Sequence, residues 1–242
     1  MDKYGLVGYP LGHSFSRDFF NEKFKNEGID AEYVNFEIPS IERFPEIITE
    51  NANLCGLNVT IPYKEKIIPY MNELSEEARH IGAVNVVRIG MRKGKPHLKG
   101  FNSDVIGFTR SIEPLLEPIH RKALILGTGG ASKAVRYGLH RLGSRNPKED
   151  SLTYPQLTPE IMDEYKVIVN CTPVGMYPHT EECPALPYTA IGRNHLLYDL
   201  VYNPEETLFL RKGREQGAIT KNGLEMLILQ AYAGWEFWHS ED

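Results

Sequence analysis

Nowhere in the 242 residues does an apolar run approach the roughly 18 residues that a membrane-spanning helix needs. A helical membrane protein is therefore excluded, and with no signal-peptide pattern at the N-terminus the expectation is a cytoplasmic protein. Cysteine is scarce. The three present, Cys55, Cys171 and Cys183, are an odd number without metal-ligand spacing, so a disulfide framework is excluded and reduced, packing thiols are expected. His13 has no partner histidine or cysteine at ligand spacing, and no metal site is expected. Basic residues form no run and the net charge is -5, so nothing here suits a polyanion such as nucleic acid, and any phosphate ligand has to be held locally. There is no internal repeat and no low-complexity segment. What is present is an ordinary globular composition, 41% hydrophobic and 24% charged, enough for one large or two modest domains with a real core.

The apolar pattern alternates strand and helix. Residues 4–9 read as a strand ending in Pro10-Leu-Gly-His-Ser-Phe-Ser16, a turn whose hydroxyls suit the cap of a helix over 17–26. A strand at 31–38, a helix at 41–49 and a strand at 55–61 follow. Two short helices are then expected at 64–71 and 75–81, the second opened by a serine cap and two acids. Strands at 83–89 and 97–102 flank a lysine- and glycine-rich connection, 90–96, expected to be a surface turn. A helix over 103–116 ends before Pro118, and the apolar strand 123–126 opens a second unit. Gly127-Thr-Gly-Gly-Ala-Ser132 follows that strand directly and leads into a helix through 142, the context that gives a glycine-rich match its meaning. Strands at 167–171, 196–200 and 218–220, a helix at 205–216 and a long apolar helix at 224–238 complete the chain.

Asn58-Val-Thr-Ile-Pro-Tyr-Lys64 ends a buried strand, because Pro62 has no amide proton for a sheet ladder. Period two puts Asn58 and Thr60 on one face and Lys64 follows just past the turn, so an amide, a hydroxyl and an amine gather at the strand's exit. Alone, the stretch reads first as an ordinary strand end with a solvated lysine. Asp104 at a helix start reads, by itself, as a favourable charge on the helix dipole. Asn85, in Gly82-Ala-Val-Asn85, reads as a strand or turn residue, Ser14 and Ser16 as caps, and Tyr202 and Gln230 carry no signal by themselves. The glycines at 127 and 129 have a physical task, since backbone amides at a helix N-terminus cradle a pyrophosphate only where no Cβ blocks the approach. Ser132 stands where a third glycine or alanine is usual. No acid stands about 20 residues on to grip a ribose diol, whereas Arg145 and Lys148 there suit a 2′-phosphate, although such residues are common on loops.

Taken together and in order, Pro10-Leu-Gly-His-Ser-Phe-Ser16, Asn58-Val-Thr-Ile-Pro-Tyr-Lys64, Gly82-Ala-Val-Asn85, Gly100-Phe-Asn-Ser-Asp104, Gly127-Thr-Gly-Gly-Ala-Ser132 and Asn222-Gly-Leu-Glu-Met-Leu227 resemble the shikimate dehydrogenase family over nearly the whole chain. The resemblance implies an α/β chain with an N-terminal α/β substrate domain, residues 1–104 joined by the C-terminal helix 224–242, a Rossmann-type dinucleotide-binding domain over 105–223, and a cleft between them. It implies Lys64 and Asp104 as the catalytic pair. Ser14, Ser16 and Tyr202 would hold the substrate carboxylate, and Asn58, Thr60, Asn85 and Gln230 its hydroxyls. For the cofactor, NADP, it implies Gly127, Thr128, Gly129, Gly130 and Ala131 at the phosphates and Leu200 and Gly223 beside the nicotinamide. Glu76 takes a further cofactor-adjacent position, and Ser144, Arg145 and Lys148 lie toward the 2′-phosphate. The family's Asn-Arg-Thr segment appears as Ser144-Arg145-Asn146, and a family arginine farther along appears as Glu149, which weakens the case for NADP over NAD.

The implied activity is reversible NADP-dependent reduction of 3-dehydroshikimate to shikimate, a step toward chorismate and the aromatic amino acids. The implied partners are a small-molecule substrate, no nucleic acid and no membrane, for a monomer or homodimer. A quinate/shikimate dehydrogenase and a non-catalytic nucleotide- or metabolite-binding regulator on the same fold stand as alternatives. One departure stands out. After Gly143 the family's second Rossmann strand, roughly six residues and an ordinary strand length, is absent. The expectation is that the sequence omits these residues, so that the Gly143–Ser144 Cα separation exceeds the ~3.8 Å of a trans peptide.

Overall fold

A computed structural model describes residues 1–12, 15–143 and 153–240. The chain forms two compact units, one of Met1–Ser103 with Ala231–Asp242, the other of Asp104–Gln230.

The first unit is built on β1 (Asp2–Gly8), α1 (Phe15–Glu27), β2 (Ala31–Glu37), α2 (Phe44–Glu50), β3 (Leu54–Val59), β4 (Glu73–Leu74), α3 (Glu76–Ile81), β5 (Val86–Arg92) and β6 (Lys95–Phe101). Its six strands lie in the order β2-β1-β3-β5-β6-β4, with β1 parallel to both neighbours and β5 antiparallel to β3 and β6. Both faces are covered, and the period-two rule sorts them. Val7 and Val87 enter one core with Phe44, Ile47 and Leu57. Leu6 and Val86 enter the other, with Phe20, Tyr33 and Trp238.

Three expectations in this unit are corrected. The stretch 64–71 forms turns and one 3-10 turn, Ile68–Tyr70, instead of a helix. Pro69 cannot donate a helical hydrogen bond, while Tyr63 and Ile67 anchor the stretch by being buried. The connection 90–96 is mostly strand. β5 and β6 pair as far as Arg92 with Lys95, and Lys93 and Gly94 alone turn the chain. Both have positive φ, 52° and 73°, as a two-residue hairpin turn of type I′ requires. β5 also starts at Val86, later than expected, because residues 83–85 are irregular backbone.

The second unit comprises α4 (Asp104–Ile112), β7 (Ala123–Leu126), α5 (Gly130–Arg141), α6 (Pro159–Glu164), β8 (Val167–Asn170), β9 (Leu196–Asp199), α7 (Leu208–Glu215), β10 (Ile219–Lys221) and the first part of α8 (Leu224–His239). Among the described residues its four strands are all parallel, in the order β10-β9-β8-β7. Their near-continuous apolar sequences fit a parallel sheet covered on both faces. Val167, Val169, Leu196 and Tyr198 enter one core and Ile168 and Leu197 the other. The short helix α6 went unanticipated. The expected break between Gly143 and Ser144 lies outside the described residues, as do His13, Ser14, Arg145 and Lys148. No described helix is long and apolar enough to cross a membrane.

Candidate active site

In the first unit the exit of β3 is tied down before any side chain is presented. The Val59 amide donates to the Asn85 carbonyl at 2.8 Å and the Thr60 amide to Val7 at 2.9 Å. Tyr63, buried to 2% exposure, donates its hydroxyl to the Ile38 carbonyl at 2.6 Å. The Lys64 carbonyl accepts from the Val84 amide at 2.7 Å. Lys64 is thereby held half-buried beside residues 83–85, and Thr60 is also half-buried.

The two asparagines are aimed with more care. Asn85 is buried and both ends of its amide are engaged by Ser103, with Nδ2 donating to Oγ at 3.0 Å and the Ser103 amide donating to Oδ1 at 2.7 Å. Asn58 is 5% exposed. Its Oδ1 accepts from the Tyr33 hydroxyl at 2.7 Å, and its Nδ2 donates to the Asn85 carbonyl at 3.4 Å. Burial pushes the Tyr33 phenol well above its ordinary value, against a hydrogen bond from Ser16 of α1 that pulls it down. The phenol is thus a neutral donor. Glu76 opens α3 behind the Ser75 cap, whose side chain accepts from the Ala78 amide. Asn58, Asn85 and Ser16 are linked in this way through Tyr33, Ser103 and backbone.

The second unit presents mostly backbone. Asp104, 5% exposed, is the first residue of α4, where the helix dipole favours a carboxylate. Its charge reaches Cys171, whose thiol burial, Asp199 and Asp104 together push upward. Gly107 lets α4 approach α8 closely, since a Cβ there would stand 2.5 Å from the Met226 carbonyl oxygen and 3.0 Å from the Gln230 amide. The helix that starts with Asp104 is thus packed on the one that carries Gln230, whose Nε2 donates to the Leu227 carbonyl at 3.0 Å.

Gly127 leaves β7 with φ at +111°, a conformation open to glycine alone, and a Cβ would meet the Cys171 backbone at 3.2 Å. Gly129 then caps α5 without a side-chain hydrogen bond, and nothing lies within 4 Å of where its Cβ would be. Gly130 and Ala131 begin the helix, with Thr128 in the connection. Leu200 donates to the Asn170 carbonyl at 2.9 Å, and a Cβ on Gly223 would collide with the Leu200 backbone. Burial raises the phenol of Tyr202. Beneath these loops Asp199, fully buried, accepts from Thr207 Oγ1 at 2.6 Å, Asn170 Nδ2 at 3.0 Å and the Val201 amide at 3.0 Å. Burial raises its carboxyl to about 6 against these donors.

Residues 6–87 match the pattern of the shikimate dehydrogenase substrate binding domain. A shikimate dehydrogenase (NADP(+)) of Halothermothrix orenii is 40% identical over 97% of this chain and 89% of its own length. The chain belongs to the shikimate dehydrogenase family. Among solved structures, the shikimate 5-dehydrogenase of Thermus thermophilus in complex with NADP(H) and shikimate superposes with a TM-score of 0.83 at 30% identity, over 99% of this chain and 94% of that one. A quinate dehydrogenase of Corynebacterium glutamicum in complex with NAD gives 0.85 at 25% identity, over 98% and 93%. The family assignment and the α/β fold, an N-terminal substrate domain with a Rossmann-type domain, are thereby borne out.

Within this shikimate dehydrogenase family chain, three supports escaped sequence reasoning. Tyr33 and Ser103 lie far in sequence from the asparagines they hold, and neither carries a local signal. Asp199 did carry one, an acid ending the otherwise apolar Leu196-Leu197-Tyr198 run.

Proposed function

We propose that this chain is an NADP-dependent shikimate dehydrogenase, reducing 3-dehydroshikimate to shikimate and back. The observation that carries the reading is the 40% identity to an NADP(+) shikimate dehydrogenase over 97% of the chain. Asn58 and Asn85 add support, since the side-chain amide of each is held by hydrogen bonds to its neighbours.

The residues suit the dinucleotide. A glycine-only turn followed by an uncapped helix N-terminus of 12 residues offers free amides to a pyrophosphate, so Gly127, Thr128, Gly129, Gly130 and Ala131 would hold it. Leu200 and Gly223 would flank the nicotinamide, Glu76 would lie near it, and Ser144, Arg145 and Lys148 would lie toward the 2′-phosphate. When bound, NADP supplies or takes up the hydride. The chain's own work is positional and protonic. Ser14, Ser16 and Tyr202 hold the substrate carboxylate, while Asn58, Thr60, Asn85 and Gln230 hold its hydroxyls. Lys64 gives a proton to the carbonyl oxygen on reduction and takes it from the hydroxyl on oxidation, a role worth about 10² to 10⁴ in rate. Asp104 orients the lysine and bonds the same oxygen. On this reading residues 1–104 with 224–242 form the substrate domain and residues 105–223 the cofactor domain of a cytoplasmic monomer or homodimer.

The likeness to a quinate dehydrogenase with NAD favours a second reading, dual quinate/shikimate activity. Absorbance of the reduced nicotinamide, followed with shikimate and with quinate and with NADP and with NAD, decides. Shikimate with NADP is expected to give the highest kcat/KM, and no turnover with either acid would sink both readings.

A further inference from the structure

We propose that Tyr33 is a positioning residue for substrate recognition, its hydroxyl fixing the Asn58 amide so that Asn58 meets the ligand with an N–H and not with its carbonyl. The proposal deepens the shikimate reading and rests on it.

The orientation of an asparagine amide follows from its neighbours. The Asn85 carbonyl oxygen already accepts from the Val59 amide at 2.8 Å and lies 3.4 Å from Asn58 Nδ2. A flipped amide would set Oδ1 against that oxygen, two acceptors facing each other. It would also take the acceptor away from the Tyr33 hydroxyl, 2.7 Å distant. The carbonyl end of Asn58 is therefore spent on Tyr33 and one amide hydrogen on Asn85. The second amide hydrogen makes no hydrogen bond among the described residues, although Asn58 is 5% exposed. Buried polar hydrogens of this kind call for a partner. A ligand oxygen, hydroxyl or ketone, is the partner that fits, and an ammonium group at the same place would be refused.

Tyr33 is braced for this task from three sides. Asn21 of α1 donates Nδ2 to the Tyr33 carbonyl and accepts the Tyr33 amide at Oδ1, both at 2.9 Å. The Phe20 ring stacks on its ring at 5.0 Å between centroids and 13° between planes. Trp238 stands at 6.3 Å. Its hydroxyl also bonds Ser16, so the proposed carboxylate contact and the proposed hydroxyl contact meet at one phenol. The space around the amide is kept small but open, since a Cβ on Gly234 would come to 3.4 Å from Asn58 Nδ2.

Steady-state kinetics of the full chain with shikimate and NADP test the proposal. Tyr33→Phe keeps the ring and removes the hydroxyl. It is expected to raise KM for shikimate about tenfold, the size of a lost buried hydrogen bond, with KM for NADP unchanged and kcat within about twofold. Asn58→Ala is expected to raise it at least as much, and the double variant no further than Asn58→Ala, because the two act as one unit. A chain with Tyr33 replaced by 4-aminophenylalanine retains a para N–H donor and is expected to return KM to within about threefold of wild type. A merely structural role would instead lower the melting temperature of Tyr33→Phe at unchanged KM, which overturns the proposal. So does a KM that stays about tenfold high with the amino analogue, a reading that holds even if Tyr33→Phe does not fold. A wild-type chain that fails to oxidise shikimate overturns the functional reading and this inference with it, whereas normal wild-type turnover with unchanged KM in Tyr33→Phe overturns this inference alone.

Discussion

The two units prepare for a ligand by opposite means. In the first, side chains are presented and each is aimed by another side chain, as Asn58 is by Tyr33 and Asn85 by Ser103. In the second, the presented groups are largely backbone, left open by glycines at 127 and 129, while the buried Asp199 carboxylate holds the Val201 amide and the Val201 carbonyl in turn accepts from the Gly223 amide. On the proposed function, the difference matches what each half would read. A ring with several hydroxyls is distinguished only by donors and acceptors at fixed points, whereas a pyrophosphate needs a concave row of amides and room to approach.

The contrast can be broken hardest at the residue proposed for proton transfer. Lys64→Ala is expected to lower kcat by about 10² to 10⁴ with the melting temperature little changed, since its side chain is only half-buried. A kcat near wild type would remove the lysine from the chemistry. Gly127→Ala attacks the backbone half. Strain of about 1–3 kcal/mol at a φ of +111° is expected to raise KM for NADP roughly tenfold or more while KM for shikimate stays put. Equal losses for both ligands would mean that the units are not divided as described.

Asp199 sharpens the comparison through pH. Its folded-state value, about 6, lies above the ordinary 3.8, so the folded chain binds the proton more tightly than the unfolded one. This group therefore favours folding below pH 4, and that contribution is lost as pH rises toward 6 and stays lost above. In Asp199→Asn the wild-type-minus-variant stability is expected to fall by about 3 kcal/mol across that window, measured by urea unfolding at a series of pH values. A flat difference would refute it. The smallest effect belongs to Ser103→Ala, which frees one end of Asn85 while leaving the backbone bond at the other. KM for shikimate is expected to rise about threefold, within the range of one modest hydrogen bond, and KM for NADP not at all.

Much of this was legible in the sequence, and for identifiable reasons. β7 matched residue for residue because four apolar residues were bounded by a lysine and a glycine. α3 was legible from its cap, Ser75, and the two acids that follow, and Gly82 closes it in the left-handed region. The stretch 64–71 misled because Tyr63 and Ile67 have helical spacing, but they serve to pin a turn. The hairpin at Lys93 and Gly94 was hidden because lysine is a rare choice for a positive φ. Lys64 and Asp104 were singled out only through the order of motifs around them. Tyr33 could not be found at all, since its partner, Asn58, is brought to it by β1 lying between their strands, a relation that no local pattern encodes.

The Asn21 clamp has a consequence for the chain's behaviour among its own copies. β2 is the outermost strand on its side of the sheet, and the amide and carbonyl of Tyr33 point away from β1 to where another strand could dock. Asn21 fills both with one side-chain amide, imitating the neighbour that is not there. A free ladder of such groups invites intermolecular pairing. The residue that steadies the phenol thus also fills two open groups at a sheet margin, so that blocking strand pairing at that point and aiming the proposed ligand contact depend on the same two hydrogen bonds.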